Sequence, residues 1–418
     1  MKQARILVNS VRADVDSNQF KENTRKSSKD FTRNRKLSFK ELIYFVLQSP
    51  KATITTGIRR FFKELERNES MTQQSVSEAK AKLKWEGFEY LFRNSTVKPL
   101  VELNRQTWKD YFIYAIDGSR IALPMDKKLL NYYGAVGRGA KSPTAQASIL
   151  YDVINDIVVD AAITPVKTGE RTLAYDHIDV LETINEGEKK LILFDRGYPS
   201  WKLIDTLQSK GLSFVMRVQR TFNVSVDAQT KADGVVQINT TKAQHQVRVL
   251  KIKLDGGVTE TLITNIHDEA LSVDDFKQLY FMRWPIETKY NTIKQKLELE
   301  NFTSRTVDGI KIDFFAMMLI TNLMASVEHD VKAEIEEQRK DKSNKYTYKV
   351  NKNELVGVLK DYLIVAVAHD CPNKQSKAFE KILTEAQRNV VPIRPNRRVE
   401  RPARTRASRF HHNHKSNA

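Results

Sequence analysis

Tyr280-Phe281-Met282-Arg283-Trp284-Pro285-Ile286-Glu287, with Lys294 seven residues further on, sets a tyrosine, an arginine, a carboxylate and a lysine at spacings of three, four and seven. These are near-multiples of the helical repeat. One face can therefore present a cation-holding carboxylate flanked by phosphate-gripping cations. Pro285 suits the first turn of a helix, where a missing N–H costs least. The motif is thus expected to span a short helix and the start of a longer one. Ser272-Val-Asp-Asp275 reads as the capping box that opens the first of them. Trp284 is expected to be a buried packing residue, with base stacking as the alternative.

Upstream of the motif the chain alternates strands and helices. Tyr111 to Ile116 is a β-rich run ending at Asp117-Gly118, and Ile121 to Leu123 continues it. Ala147 to Asp152 and Ile157 to Ile163 flank Asn155-Asp156, the signature of a hairpin turn. A helix is expected from Glu170 to about Thr183. The apolar run from Lys190 to Phe194 then leads into Asp195-Arg196-Gly197-Tyr198, as a buried strand does when it delivers a side chain at its end. A helix over 200–209 and a strand over 213–218 complete an α/β pattern. Val224, Val226, Val235, Val236, Ile238, Val247, Val249, Ile252, Leu262 and Ile263 mark short strands, a β-rich insertion. Helices resume through 308–330 and 353–370. Residues 1–105 read as helical and basic, either a helix-turn-helix or a small bundle with a solvated basic face.

Length and charge bound the function. A chain of 418 residues is too long for one compact core. Its 69 basic residues against 51 acidic ones give a net charge of +18, the balance of a chain with a polyanionic partner. Ribosomal and membrane-surface proteins can share that balance. Cys371 is the only cysteine, which excludes an intramolecular disulfide and a cysteine-based zinc site. The first residues lack the apolar core of a secretory signal. The apolar run from Phe314 to Ile320 is too short to cross a bilayer. We therefore expect a cytoplasmic, nucleoid-associated protein with no membrane partner. After Val391 the chain becomes proline- and arginine-rich, with eight cations against Glu400 alone, and is expected to be disordered.

Three acids stand out by position: Asp117 interrupts an apolar strand, Asp195 ends one, and Glu287 sits near a helix start. Charge in such places is costly unless paired or bound to metal. Strand-end aspartates also cap helices, but three such acids in a basic chain favour a hard cation, magnesium or manganese. Arg283 and Lys294 would grip phosphate oxygens. Glycoside hydrolysis needs two acids but has no use for so basic a surface.

These residues give the chain its resemblance. It resembles a DDE transposase of the insertion-sequence-four type, in which one aspartate follows a strand, a second lies in an Asp-Arg-Gly-Tyr-like segment and the glutamate belongs to Tyr-x2-Arg-x3-Glu-x6-Lys. The matching positions are Asp117, Asp195, and Tyr280, Arg283, Glu287 and Lys294, within roughly residues 105–330. The resemblance implies an α/β fold: a ribonuclease-H-like catalytic core with a β-rich insertion, plus a helical N-terminal region. On that reading residues 1–105 are a helical basic DNA-binding region and 106–218 the first part of the core. Residues 219–270 are the insertion, 271–330 the glutamate helix completing the core, 331–391 C-terminal helices and 392–418 the basic tail. The resemblance further implies that Asp117, Asp195 and Glu287 are catalytic and hold two divalent metals. Tyr280, Arg283 and Lys294 would bind DNA. Its partners would be double-stranded DNA, both element ends and target, and a second copy of the chain in a homodimer on DNA. A DNA-binding derivative no longer competent for transposition, and a simple metal-dependent nuclease, are the alternatives.

The tail yields a first prediction. If its cations neutralise phosphates, deleting residues 392–418 should flatten the salt dependence of DNA binding, by a slope of about 0.9 for each phosphate it had neutralised. End-specific and nonspecific affinity should fall by similar factors, because such a segment reads charge rather than base edges. Titrations at several salt concentrations on two duplexes check this; an unchanged slope removes the tail from the interface.

Overall fold

The computed structural model describes residues 2–33, 35–48, 53–137, 139–240, 242–254, 257–340 and 345–394. Six helices open the chain: α1 (Gln3–Asp16), α2 (Asn18–Thr24), α3 (Phe39–Gln48), α4 (Ile54–Glu64), α5 (Gln73–Lys80) and α6 (Glu86–Tyr90). A π-helical turn (Leu91–Val97) leads into α7 (Lys98–Glu102) and β1 (Tyr111–Ala122). Next come α8 (Lys127–Tyr133), β2 (Thr144–Asp152), β3 (Ile157–Pro165), α9 (Glu170–Glu182), β4 (Lys189–Phe194), α10 (Trp201–Ser209) and β5 (Ser213–Val218). They are followed by α11 (Val224–Ala228), β6 (Asp233–Asn239), β7 (Gln244–Lys253) and β8 (Thr259–Thr264). Then α12 (Val273–Phe281), α13 (Pro285–Asn291) and a π-helical turn (Thr292–Lys296) precede α14 (Val307–Glu337). The last elements are β9 (Tyr348–Val350), α15 (Lys352–Ala368), α16 (Pro372–Arg388) and β10 (Val390–Pro392).

The described residues fall into two compact units. One is drawn from Met1–Thr96, Lys296–Ser304 and Asp308–Ala418, the other from Val97–Gln295 and Arg305–Val307. The second unit is built on a single eight-stranded sheet in the order β3-β2-β1-β4-β5-β8-β7-β6. β1, β4 and β5 run parallel. β2 and β3 flank β1 as an antiparallel hairpin. β8, β7 and β6 continue antiparallel from β5. Residues 190–194 of β4 are all buried, as a strand covered on both faces requires.

The strands and helices expected of residues 106–218 are present, with β1 running unbroken through Asp117. The β-rich stretch that follows continues the same sheet. Val224 and Val226 are a correction: their β-branched pattern reads as strand, yet they lie in α11. Asn223 caps that helix by accepting from the Val226 amide at 3.2 Å, and the cap outweighs propensity over so short a segment. The capping box of α12 is present, and Pro285 opens α13 after a break.

In the first unit α14 is the central helix, 31 residues long and buried along most of its length. It is longer and more apolar than the run from Phe314 to Ile320 suggests, long enough to cross a membrane, yet 89% of its most apolar window is buried inside the protein. Asp330 on α14 accepts from the backbone amides of Gln3 and Ala4, at 2.8 and 2.9 Å, and so caps α1 from a distance. Pro392, expected to begin the tail, instead pairs with Tyr348 in the β9–β10 ladder. Residues 395–418 of the expected tail lie outside the described residues.

A buried cation ties the approach to β1 to the sheet. Arg105 donates to Tyr114 Oη and Asp152 Oδ2, both at 2.9 Å, and to both oxygens of Glu188 at 2.6 and 2.8 Å. Its guanidinium lies 4.1 Å from the centre of the Phe112 ring. Asp152 is wholly buried, and burial raises its pKa. Arg105→Met would strand that carboxylate, so it should cost about 3–5 kcal/mol. A lowered urea midpoint would report this; an unchanged midpoint would mean that Asn155 and water compensate.

Candidate functional site

Two aspartates are aligned by strand register. β1 and β4 pair in parallel from Tyr111↔Lys189 to Ala115↔Leu193. Asp117 and Asp195 each stand two residues beyond that last pair, at matching positions on neighbouring chains. Asp117 remains in a strand because β2 still pairs with it, Asp117 opposite Ile149. Asp195 has left β4 and begins a turn, closed by the Tyr198 amide donating to its carbonyl at 3.1 Å.

The Asp117 peptide is held from several sides. Tyr290 Oη and Ser148 Oγ both donate to its carbonyl, at 2.9 and 3.2 Å. Behind Ser148, His177 Nε2 stands 2.9 Å from Oγ, and its Nδ1 stands 2.8 Å from Asp160 Oδ2. Ser148, His177 and Asp160 are all buried, so this relay of hydrogen bonds supports Asp117 and is closed to substrate.

Glu287 arrives on α13, and the motif places it through a broken helix. After Phe281 the amides of Arg283, Trp284, Ile286 and Glu287 each bond three residues back. Pro285, which has no amide to offer, occupies the break. α13 is docked by buried Ile286, by Tyr290 on Asp117, and by Lys289, which is paired with Asp156. The spacing of four between Arg283 and Glu287 becomes an ion pair of 2.7 Å within one helical turn. Arg283 therefore takes Glu287 as its partner, while Asp275 of the capping box pairs with Lys109 at 2.8 Å. Its guanidinium lies 5.9 Å from the Tyr280 ring centre. Lys294 donates to the Arg120 carbonyl at 2.5 Å.

The electrostatics follow from crowding acids out of water. Asp117 is pushed up to about 6, first by burial and then by Glu170 and Glu287, against the Gly118 amide and Arg283, which pull it down. Tyr280 is pushed up to about 12 by burial; Arg283 opposes this and Asp195 adds to it. The buried Tyr280 hydroxyl has Arg283 beside it, and among the described residues Arg283 Nε has no hydrogen-bond partner. All six expected site residues thus stand in the second unit, and electrostatic coupling links Asp117 to Glu287 and Asp195 to Arg283 and Tyr280.

The acids stand apart in this conformation, and one expectation about the motif needs correction. Among the described residues no three acidic or histidine side chains come close enough to hold a metal ion together. The physical reason at Glu287 is its pairing with Arg283, an internal counter-ion in this conformation. The donor set still fits a hard divalent cation: every candidate ligand is a carboxylate oxygen, and a bound cation would relieve the cost of ionising Asp117. Trp284, expected to be buried, is 53% exposed, and Phe281 is 54% exposed. The break between α12 and α13 turns them outward. Sequence reasoning missed Glu170, Tyr290 and the Ser148–His177–Asp160 support. Tyr290 carried a signal, being three residues past Glu287 on the same helical face.

Comparison with known proteins gives the family. Residues 108–323 match the family described as the transposase DDE domain, over half of the chain, and the chain belongs to that family. It is 26% identical over 187 residues to "Putative transposase InsZ" of Escherichia coli (strain K12), covering 43% of this chain and 60% of that protein. It is also 26% identical over 147 residues to "Putative transposase y4zB" of Sinorhizobium fredii (strain NBRC 101917 / NGR234), covering 32% of this chain and 41% of that one. Among solved structures it is similar to a piggyBac transposase synaptic complex with hairpin DNA, at 10% identity and a TM-score of 0.48, over 90% of this chain and 82% of that chain.

The Asp117 shift makes a prediction with a definite sign. Its folded pKa, about 6, lies above the ordinary 3.8, so the folded state holds the proton more tightly than the unfolded one. The stability this contributes is full below 3.8 and is lost as pH rises through about 6. Asp117→Asn never ionises. In metal-free buffer it should gain on the wild type between pH 4 and 7 by up to about 3 kcal/mol. Denaturant melts across that range check this; a constant difference would refute the shift.

Proposed function

We propose, from membership of the DDE transposase family, that this protein is of the insertion-sequence-four type, binds the terminal repeats of its own element, cuts them and joins them to target DNA. The observation that carries this is the matching placement of Asp117 and Asp195 past the β1–β4 ladder, with Glu287 electrostatically coupled to Asp117. The strand order β3-β2-β1-β4-β5, with its antiparallel hairpin beside three parallel strands, supports reading the second unit as a ribonuclease-H-like core. β6 to β8 then form the insertion before the glutamate helix.

In this reading Asp117, Asp195 and Glu287 hold divalent cation, magnesium or manganese. When bound, that cation activates the attacking oxygen and stabilises the leaving one in an in-line phosphoryl displacement. The rest is the work of this chain's own residues. Arg283, once Glu287 turns to cation, offers its fork to a non-bridging phosphate oxygen. The Tyr280 hydroxyl, beside Arg283, donates to a neighbouring phosphate. Lys294 exchanges a backbone carbonyl for DNA, a stronger charge-assisted contact. Double-stranded DNA is the substrate, with two copies of the chain coordinating two ends.

Inverted repeats flanking the coding region would supply the test substrate. With matched end duplexes, magnesium and a target plasmid, the wild type should give joined product. Asp117→Asn, Asp195→Asn and Glu287→Gln should each lower cleavage and joining about a hundredfold or more while retaining end binding. Cleavage without joining would indicate a nuclease instead, and wild-type rates in any variant would remove that acid from the site.

A further inference from the structure

α9 brings a fourth acid to the site. The Glu170 side chain lies over Gly118, the residue after Asp117. A Cβ built on Gly118 would stand 3.0 Å from both Cγ and Oε1 of Glu170, and 2.7 Å from Gln146 Nε2. Only a residue without a side chain leaves that space. Gln146 Nε2 donates to Glu170 Oε1 at 3.5 Å. The next residue, Arg171, donates from Nε to the Gly197 carbonyl at 3.0 Å and so fastens the turn after Asp195. The first turn of α9 therefore touches both segments that carry the aspartates.

Side chains alternate along β1, so Glu170 approaches from the face opposite the Asp117 side chain. The β4 ladder ends at Ala115↔Leu193, which leaves that edge of β1 unpaired at Asp117 and Gly118. Acids from both faces can converge around this open edge. A second observation points to a ligand there. Tyr198 is 2% exposed, its hydroxyl has no hydrogen-bond partner among the described residues, and the charges that bear on it are those of Asp117, Glu170 and Asp195, opposed by Arg283. A buried, unsatisfied hydroxyl within electrostatic reach of these acids is suited to donate to a carboxylate oxygen.

We propose that Glu170 is a fourth carboxylate of the divalent-cation site, acting beside Asp117, with the Tyr198 hydroxyl directed into the same group. This rests on the reading of Asp117, Asp195 and Glu287 as cation-holding acids. Its functional consequence would be a site at which Asp117 and Glu170 could hold cation while Glu287 remains paired with Arg283.

Binding of Mn2+ to the full, DNA-free chain, followed by the paramagnetic resonance of free Mn2+, tests it. Glu170 is exposed, so Glu170→Gln should fold normally, and a thermal melt verifies that. Glu170→Gln should weaken Mn2+ binding about tenfold or more, as loss of a supporting group does. Asp176→Asn, which removes an exposed charge from the same helix, should leave binding unchanged. Wild-type affinity in Glu170→Gln, with binding lost in Asp117→Asn, overturns the role of Glu170 and leaves the wider reading intact. No Mn2+ uptake by the wild type, or equal uptake by every variant, overturns both.

Discussion

The guanidinium of Arg283 is the charge on which the site depends. Three carboxylates cannot share a poorly solvated corner unless something positive stands among them. Arg283 is buried, bonded to Glu287, and close enough to Asp117 to favour its ionised form, while Asp195 helps keep the guanidinium charged. Because it belongs to the same helical turn as Glu287, the counter-ion and the third acid arrive together. In this conformation the guanidinium is the ion-pair partner of Glu287. On the proposed reading cation binding and phosphate binding would be linked, because Glu287 turned to cation would leave Arg283 for phosphate.

The backbone around that pair exists to hold position. Asp117 is set by register against β2 and by two hydroxyls on its carbonyl. Asp195 is set by the end of β4 and by Arg171 gripping the turn that follows. Buried supports such as Ser148, His177 and Asp160 contribute no chemistry of their own, but they stop the strand from sliding. That division matches an enzyme whose catalysis is mostly positioning and electrostatics.

Much of this was legible in the sequence, for reasons that differ by residue. The strands ending at Asp117 and Asp195 could be read because buried parallel strands are unbroken apolar runs that polar residues interrupt only at their ends. The break before α13 could be read because proline admits few helix positions. Val224 and Val226 misled, since β-branching marks a strand only where a sheet receives it and Asn223 supplied a cap instead. Glu170 was not legible. Its place depends on the space left by Gly118, a fact of tertiary packing that no spacing encodes. Trp284 misled for a related reason: the break at Pro285 is visible in the sequence, but the direction in which it turns the indole is not.

The central claim is that Asp117, Asp195 and Glu287 converge on one divalent-cation site. Iron-directed backbone cleavage tests it most directly. Fe2+ bound in place of magnesium, with ascorbate and peroxide, cuts the polypeptide beside its own ligands. The account predicts fragments ending near Asp117, Asp195 and Glu287, all suppressed together by excess magnesium. Cuts confined to other segments, or cuts at these positions that magnesium does not suppress, would contradict it.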